Sequence, residues 1–286
     1  MGFATTILHS QFFVRPPVPS SDFSDQTVVV TGTTSGLIYE AAKHVLRLGA
    51  SKLILAVRNV QKGEQVELDL SKFASVKKFG GRIKTLDRLD AVIQNAGIMT
   101  SKFTSVEGCE SQVAVNVIGP ALLGYLVIPK LQESAAETGS RGRLAFVGSD
   151  LQFLAPLKEK SRPRSLLTAL NSEEHVDMSN RWIACVIRRF IIGIVARSTE
   201  VGSRTLVFGV KPELGEECHG AFLMDCKVCG DLTSNTKSSE MKEAKTKFLG
   251  ELRPRLQEIY PEVPLKFPEG NCGSHIWEKS GYIWGC

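Results

Sequence analysis

Apolar residues in this chain gather in short unbroken runs rather than in alternation. Thr27–Val30, Leu53–Val57, Ala91–Ile93 and Leu144–Val147 are such runs, and the pattern marks strands covered on both faces, as in the interior of a parallel sheet. Between them, Tyr39–Leu48, Lys72–Lys84 and Ser111–Leu131 read as helices. Alternation of strand and helix with short connections predicts an α/β, doubly wound parallel sheet in a single domain. Ligands of such sheets sit outside the carboxyl ends of the strands. Thr31–Leu37, Arg58, Asn95 and Ser149 all fall at those ends.

The first strand runs into Thr31-Gly32-Thr33-Thr34-Ser35-Gly36-Leu37, and a helix follows. Gly32 allows a tight turn and Gly36 a close approach of backbone to ligand. The first amides of the helix, at the positive end of its dipole, then face an anion such as the pyrophosphate of a dinucleotide. Ile38 replaces the third glycine of the usual fingerprint.

Composition narrows the reading. The formal charge of +5 comes from scattered Lys and Arg without a basic block, so no nucleic-acid partner is expected. Seven cysteines spread over 286 residues suit thiols in a reducing, cytoplasmic compartment better than a disulfide framework. Met1–Phe13 lacks a basic region ahead of a long apolar core, so a cleaved leader is not expected. Met1-Gly2 with Thr6 formally fits the loose myristoylation pattern, which chance also produces. Trp182–Ala196 is too short to span a bilayer and carries Arg188 and Arg189; no transmembrane segment is expected.

Taken together, Thr31–Gly36, Asp69-Leu70, Asn95-Ala96-Gly97, Asn116 and Ser149 follow the order and rough spacing of the short-chain dehydrogenase/reductases, which the chain resembles from about Phe12 to Tyr260. The wording of residues 48–58 and 197–207 is similar to that of fungal members encoded with secondary-metabolite pathways. The resemblance implies a Rossmann-like fold and carbonyl/alcohol interconversion on a small organic substrate. It implies that Gly32, Ser35, Gly36 and Leu37 cradle the pyrophosphate, that Asp69 meets the adenine, and that Asn95, Ala96 and Gly97 line the adenosine side. Asn116 would kink its helix and hold a relay water, and Ser149 would hydrogen-bond the substrate oxygen. Each has a plainer alternative: a strand-end turn for Gly97, a helix surface for Asn116, a helix cap for Ser149. The second strand ends at Arg58 where an acid would select NAD. A guanidinium matches a 2′-phosphate, so NADP is favoured, with Lys62 assisting.

The family chemistry also needs a tyrosine with a lysine four residues on. Of Tyr39, Tyr125, Tyr260 and Tyr282, only Tyr39 has such a partner, Lys43, and both lie on the first helix. Where the motif would fall, Trp182 and Val186 stand instead. Indole does not exchange a proton near neutral pH and valine tunes no pKa. Two internal stretches are short as well. Little separates Gln65 from Leu68-Asp69-Leu70, leaving a stub of third strand, and Arg181 reaches Ala196 without an Asn-Pro-Gly turn. Misplaced splice junctions near Gln65 and Arg181 would produce both departures together with the irregular tail 261–286.

Lost strand and helix surface predicts exposed apolar area, low stability or a compensating homo-oligomer contact. Cys226 and Cys229, with Cys218 and His219 upstream, make a weak zinc candidate, since two separated ligand pairs are wanted. Substitute proton donors along the chain are His175, Asp150 and Lys158. Residues 236–255 read as a solvated helix. The expected organisation is an extension over 1–24, the dinucleotide-binding domain over 25–260, and the tail. Two functions stand: an NADP-dependent oxidoreductase without metal, or a catalytically impaired nucleotide-binding pseudo-enzyme.

Overall fold

A computed structural model describes residues 3–32, 36–60, 65–100, 102–149, 165–172, 197–229 and 238–263. The four apolar runs form parallel strands β1 (Thr27–Thr31), β2 (Lys52–Val57), β4 (Ala91–Gln94) and β7 (Arg143–Phe146), joined by the short β3 (Gln65–Glu67) in the order β3-β2-β1-β4-β7. Every residue of β1 and β4 is buried, which is why neither alternates in sequence. Two small antiparallel hairpins lie apart from this sheet: β5 (Ser105–Val106) with β6 (Cys109–Glu110), and β8 (Leu223–Met224) with β9 (Lys227–Val228).

Helices cover both faces, as a doubly wound sheet requires. On one face Val29, Ile54 and Val92 meet Phe79 and Ile83 of α3 (Phe73–Lys84) and Leu122 and Leu126 of α4 (Ser111–Thr138). On the other, Val28, Val30 and Ile93 meet Ala41 and Val45 of α2 (Leu37–Arg47). Leu206 and Val207, from the helix Thr199–Phe208, join that second cluster. Among the described helices α4 alone is long and apolar enough to cross a membrane, and 78% of its apolar window is buried inside the domain. It is the central core helix.

Three parts of the chain outside the central sheet are held by contacts from distant residues. Before residue 25, α1 (Phe3–Phe13) is tied to the body by Arg197, whose guanidinium donates to the Ser10 and Val14 carbonyls and pairs with Asp225. Ser10 Oγ also donates to Asp225 at 2.6 Å, and Arg204 reaches the Pro16 carbonyl. The helix expected to be solvated runs from Ser239 to Ile259 and buries Ala244, Leu252 and Leu256, because its sparse apolar positions share one face. It also caps the short helix Leu166–Leu170, with Glu251 accepting from the Leu166 and Leu167 amides. Finally, Cys226 occupies the turn between β8 and β9 and is buried beside Thr205. Among the described residues no group of three metal-ligating side chains comes together.

Among the described residues β3 pairs with Leu55, Ala56 and Val57 of β2; the segment 61–64 that leads into it lies outside the described residues.

Candidate functional site

The turn after β1 is built by backbone geometry. Gly32 has φ +81°, its amide donates to the Ala56 carbonyl at 2.8 Å, and a Cβ there would stand 3.0 Å from the Ala96 Cα. Both its conformation and the neighbouring turn therefore exclude a side chain. Gly36, at φ +75°, begins α2, and no side chain caps that helix. A Cβ on Gly36 would meet nothing within 4 Å. The helix thus starts with room beside Gly36 and without a side-chain cap on its leading amides, an arrangement that can accept an anion. Ser35, between the two glycines, lies outside the described residues.

The second wall comes from the end of β4, and a residue missed in the sequence holds it. Thr31 is fully buried, and its Oγ1 accepts from both the Asn95 and Ala96 amides at 3.0 Å. Its place at the head of the glycine motif was legible; its grip on the neighbouring turn was not. Beyond it, Asn116 clasps Ile98: Oδ1 accepts from the Ile98 amide at 2.8 Å and Nδ2 donates to its carbonyl at 2.7 Å. The Asn116 Oδ1 also lies 3.1 Å from the place of a Cβ on Gly97. Asn116 belongs to a π-helical turn, Ala114–Ile118, closed by the Gly119 amide donating to the Ala114 carbonyl. The residue expected to kink its helix and hold a relay water sits in this π-turn, with its side-chain amide bonded to Ile98.

The remaining candidates are placed less tightly. Arg58 is exposed just past the end of β2, and Lys62 lies outside the described residues. Asp69 follows β3. Its Oδ1 accepts from the Ser71 amide and hydroxyl, and its Oδ2 lies 3.7 Å from Lys72 Nζ. Ser149 is exposed three residues past β7. The structure therefore brings Gly32, Asn95, Ala96, Gly97 and Asn116 into one contact network and sets Arg58 and Ser149 at neighbouring strand ends.

No described tyrosine can take the proton role. Tyr39 is exposed on α2, with Lys43 bound to Glu40 beside it. Burial pushes the Tyr125 phenol above its ordinary value, and a hydrogen bond to the Glu262 carboxylate does the same for Tyr260. Both shifts lead away from neutral pH. Trp182, Val186, Asp150, Lys158 and His175 lie outside the described residues.

A parallel sheet in the order 3-2-1-4 and onward, with a glycine turn leading into an uncapped helix, defines a Rossmann-like nucleotide-binding domain. Comparison with known proteins agrees and makes the class specific. Residues 26–157 match the family model described as short chain dehydrogenase. The chain is 32% identical to the short chain dehydrogenase/reductase dmxR8 of Cryptosporiopsis sp. (strain 8999), across 93% of this chain and 100% of that one. It is 30% identical to the short-chain dehydrogenase anuD of Penicillium roqueforti (strain FM164), across 92% and 85%. The chain belongs to the short-chain dehydrogenase/reductase family. The alignment with dmxR8 extends over 331 positions, more than the 286 residues present here, so the relative carries internal residues with no counterpart in this chain. A crystal structure of an uncharacterized protein from Mycobacterium Paratuberculosis shares the fold, with TM-score 0.55 and 23% identity over 86% of this chain and 97% of that one.

Proposed function

We propose that this chain binds NADP at the carboxyl ends of β1, β2 and β4, as an oxidoreductase that interconverts a carbonyl and an alcohol on a small organic metabolite. The observation that carries the reading is the start of α2 without a side-chain cap, behind two glycines at positive φ and next to a turn pinned by Thr31. Gly32, Ser35, Gly36 and Leu37 would hold the pyrophosphate, Asn95–Gly97 the adenosine side, and Asp69 the adenine through its Oδ2. Arg58, with Lys62, would select the 2′-phosphate over a free hydroxyl.

The nicotinamide supplies hydride when bound. Ser149 would donate a hydrogen bond to the substrate oxygen, and the π-turn around Asn116 would offer relay water a main-chain carbonyl, since the Asn116 amide already serves Ile98. The fungal relatives support a place in secondary metabolism, and the thiol state of Cys109, Cys218 and Cys226 supports a cytoplasmic address.

A second reading has its own support. The described tyrosines lie in the wrong places, and losing a placed general acid costs roughly 10²–10⁴ in rate. The chain would then be a nucleotide-binding pseudo-enzyme. Thermal-shift titration tests what both readings share: a ligand bound only by the folded form adds about 2.7 kcal/mol at 100 times its Kd. Absence of any shift with NADP or NAD would sink both. Steady NADPH oxidation with a ketone selects the enzyme, and binding without turnover selects the pseudo-enzyme.

A further inference from the structure

The helix α1 is docked with its sides reversed. Thr5, Leu8, His9, Phe12 and Phe13 fall on one arc, at the i, i+3, i+4 spacing that stacks side chains, and Thr6, Ile7, Ser10, Gln11 and Val14 fall on the other. The second arc meets the body: Ser10 is 3% exposed, and Thr6, Ile7, Gln11 and Val14 are half-buried. Every residue of the first arc is exposed, Phe13 to 79%. An amphipathic helix of a soluble domain turns its large apolar side chains inward. Here two phenylalanines and a leucine face out and a serine faces in.

Polar bonds fix that orientation. Ser10 Oγ donates to Asp225, Arg197 holds the Ser10 and Val14 carbonyls, and Arg204 donates to the Pro16 carbonyl at 2.8 Å. Turning the helix to bury Phe12 and Phe13 would carry Ser10 away from both Asp225 and Arg197. His9 stacks on Phe13, with ring centroids 5.6 Å apart, so the outer arc is itself ordered. Charge along this stretch has one sign: from Phe3 to Ser21 the sequence carries His9 and Arg15 and no carboxylate, and Arg15 is exposed. The carboxylates that reach the lock from elsewhere, Asp225 and Glu200, are paired with Arg197 and Arg204. Outward phenylalanine and leucine beside a cation suit a helix lying in the headgroup layer of a bilayer, where anionic lipids attract the cation. At 11 residues α1 is too short to span one.

We propose that α1 seats this protein on an anionic lipid surface, with Leu8, Phe12 and Phe13 inserted at the boundary of headgroups and acyl chains and Arg15 at the lipid phosphates. The helix lies flat, held at its inner arc by the Ser10–Arg197–Asp225 lock. The outer arc is small for self-association: three partly covered side chains offer roughly 300 Å² of apolar surface, against about 800 Å² per partner in a stable protein interface. A bilayer sets no such minimum, since it takes up a single helix face.

The test is flotation of the full-length chain with vesicles of phosphatidylcholine, alone or mixed equally with phosphatidylserine. Mixed vesicles are expected to bind about fivefold more tightly, the contribution of one arginine near an anionic surface, and Arg15→Gln should remove most of that preference. The Phe12→Ser/Phe13→Ser variant, altered only at exposed positions, should bind either vesicle roughly tenfold more weakly, while its thermal unfolding and its response to NADP stay those of the parent. A second variant keeps the arc apolar: the fluorescence added by Phe13→Trp should shift to the blue on mixed vesicles and be quenched by lipids brominated near the headgroup end of the acyl chains. A parent chain that does not float overturns the proposal. Equal binding of the two vesicles, flotation indifferent to the serine changes, or emission untouched by brominated lipid does the same. Dimers abolished by the serine changes, without vesicle binding, would give the arc to a second copy, and a lowered Tm in that variant, without vesicle binding, would give it to another part of this chain; either result overturns the lipid reading. None of these outcomes depends on NADP binding, so failure here is separable from failure of the proposed function.

Discussion

The two halves of β2 are built unequally. Leu55–Val57 are flanked by β1 and β3 and lead directly to Arg58, whereas Lys52–Ile54 pair with β1 and line a cavity with Phe79 and Ile83. β3 thus supports the carboxyl half of β2, where a nucleotide would lie, and the other half rests against a less tightly filled space.

Core truncations should break or confirm this contrast with the largest effect. Ile93 is fully buried in β4 between two strands, and Ile54 is 9% exposed over the cavity. Ile93→Ala should cost about 4 kcal/mol and Ile54→Ala about 2 kcal/mol, since a site beside open space collapses more readily. Equal losses in urea unfolding would mean that the cavity closes in solution. Next in size, Gly32→Ala should cost about 2 kcal/mol, from its left-handed φ and the Ala96 contact. Gly36→Ala should cost about 1 kcal/mol from φ alone, with its greater effect on NADP affinity. Calorimetric unfolding beside nucleotide titration separates the two.

A smaller change is expected at the end of the paired half. Arg58→Asp should weaken NADP by about tenfold, roughly 1.4 kcal/mol, and leave NAD within a factor of about 2. Equal weakening of both nucleotides in a binding titration would remove Arg58 from phosphate recognition. The smallest effect lies away from the sheet edge. The Arg204 hydrogen bond, opposed by some desolvation and aided by His44, holds the Glu200 carboxyl below its ordinary 4.5. That stabilisation is present in full above pH 4.5 and is lost as pH falls through the lower folded value. Glu200 is a third exposed, so screening keeps the contribution below about 1 kcal/mol. Glu200→Gln should lower Tm slightly at neutral pH and leave it nearly unchanged at the acid end, so that the acid limb of a Tm–pH profile flattens.

The strands of the sheet were legible because burial on both faces writes itself as unbroken apolar runs. The turn at Gly32 and Gly36 was legible for a similar reason: few residues other than glycine adopt those backbone angles. Other features depend on contacts that no local pattern encodes. Thr31 looks like one more strand residue until Asn95 and Ala96 arrive at its hydroxyl. Asn116 sits in a helix that is apolar nearly all round, so its periodicity gives no sign of the π-turn. Arg197 meets Ser10 across 187 positions of sequence.

The Ser10–Asp225 bond joins positions 215 residues apart. On the ribosome α1 emerges before the sheet, yet Arg197 and Asp225, which hold it, are made only after the strands of that sheet. Until then Leu8, Phe12 and Phe13, which stay exposed even in the finished molecule, travel on an unfastened helix. A helix made ahead of the sheet is thus seated after it, and a nascent chain halted before Arg197 would leave it unanchored.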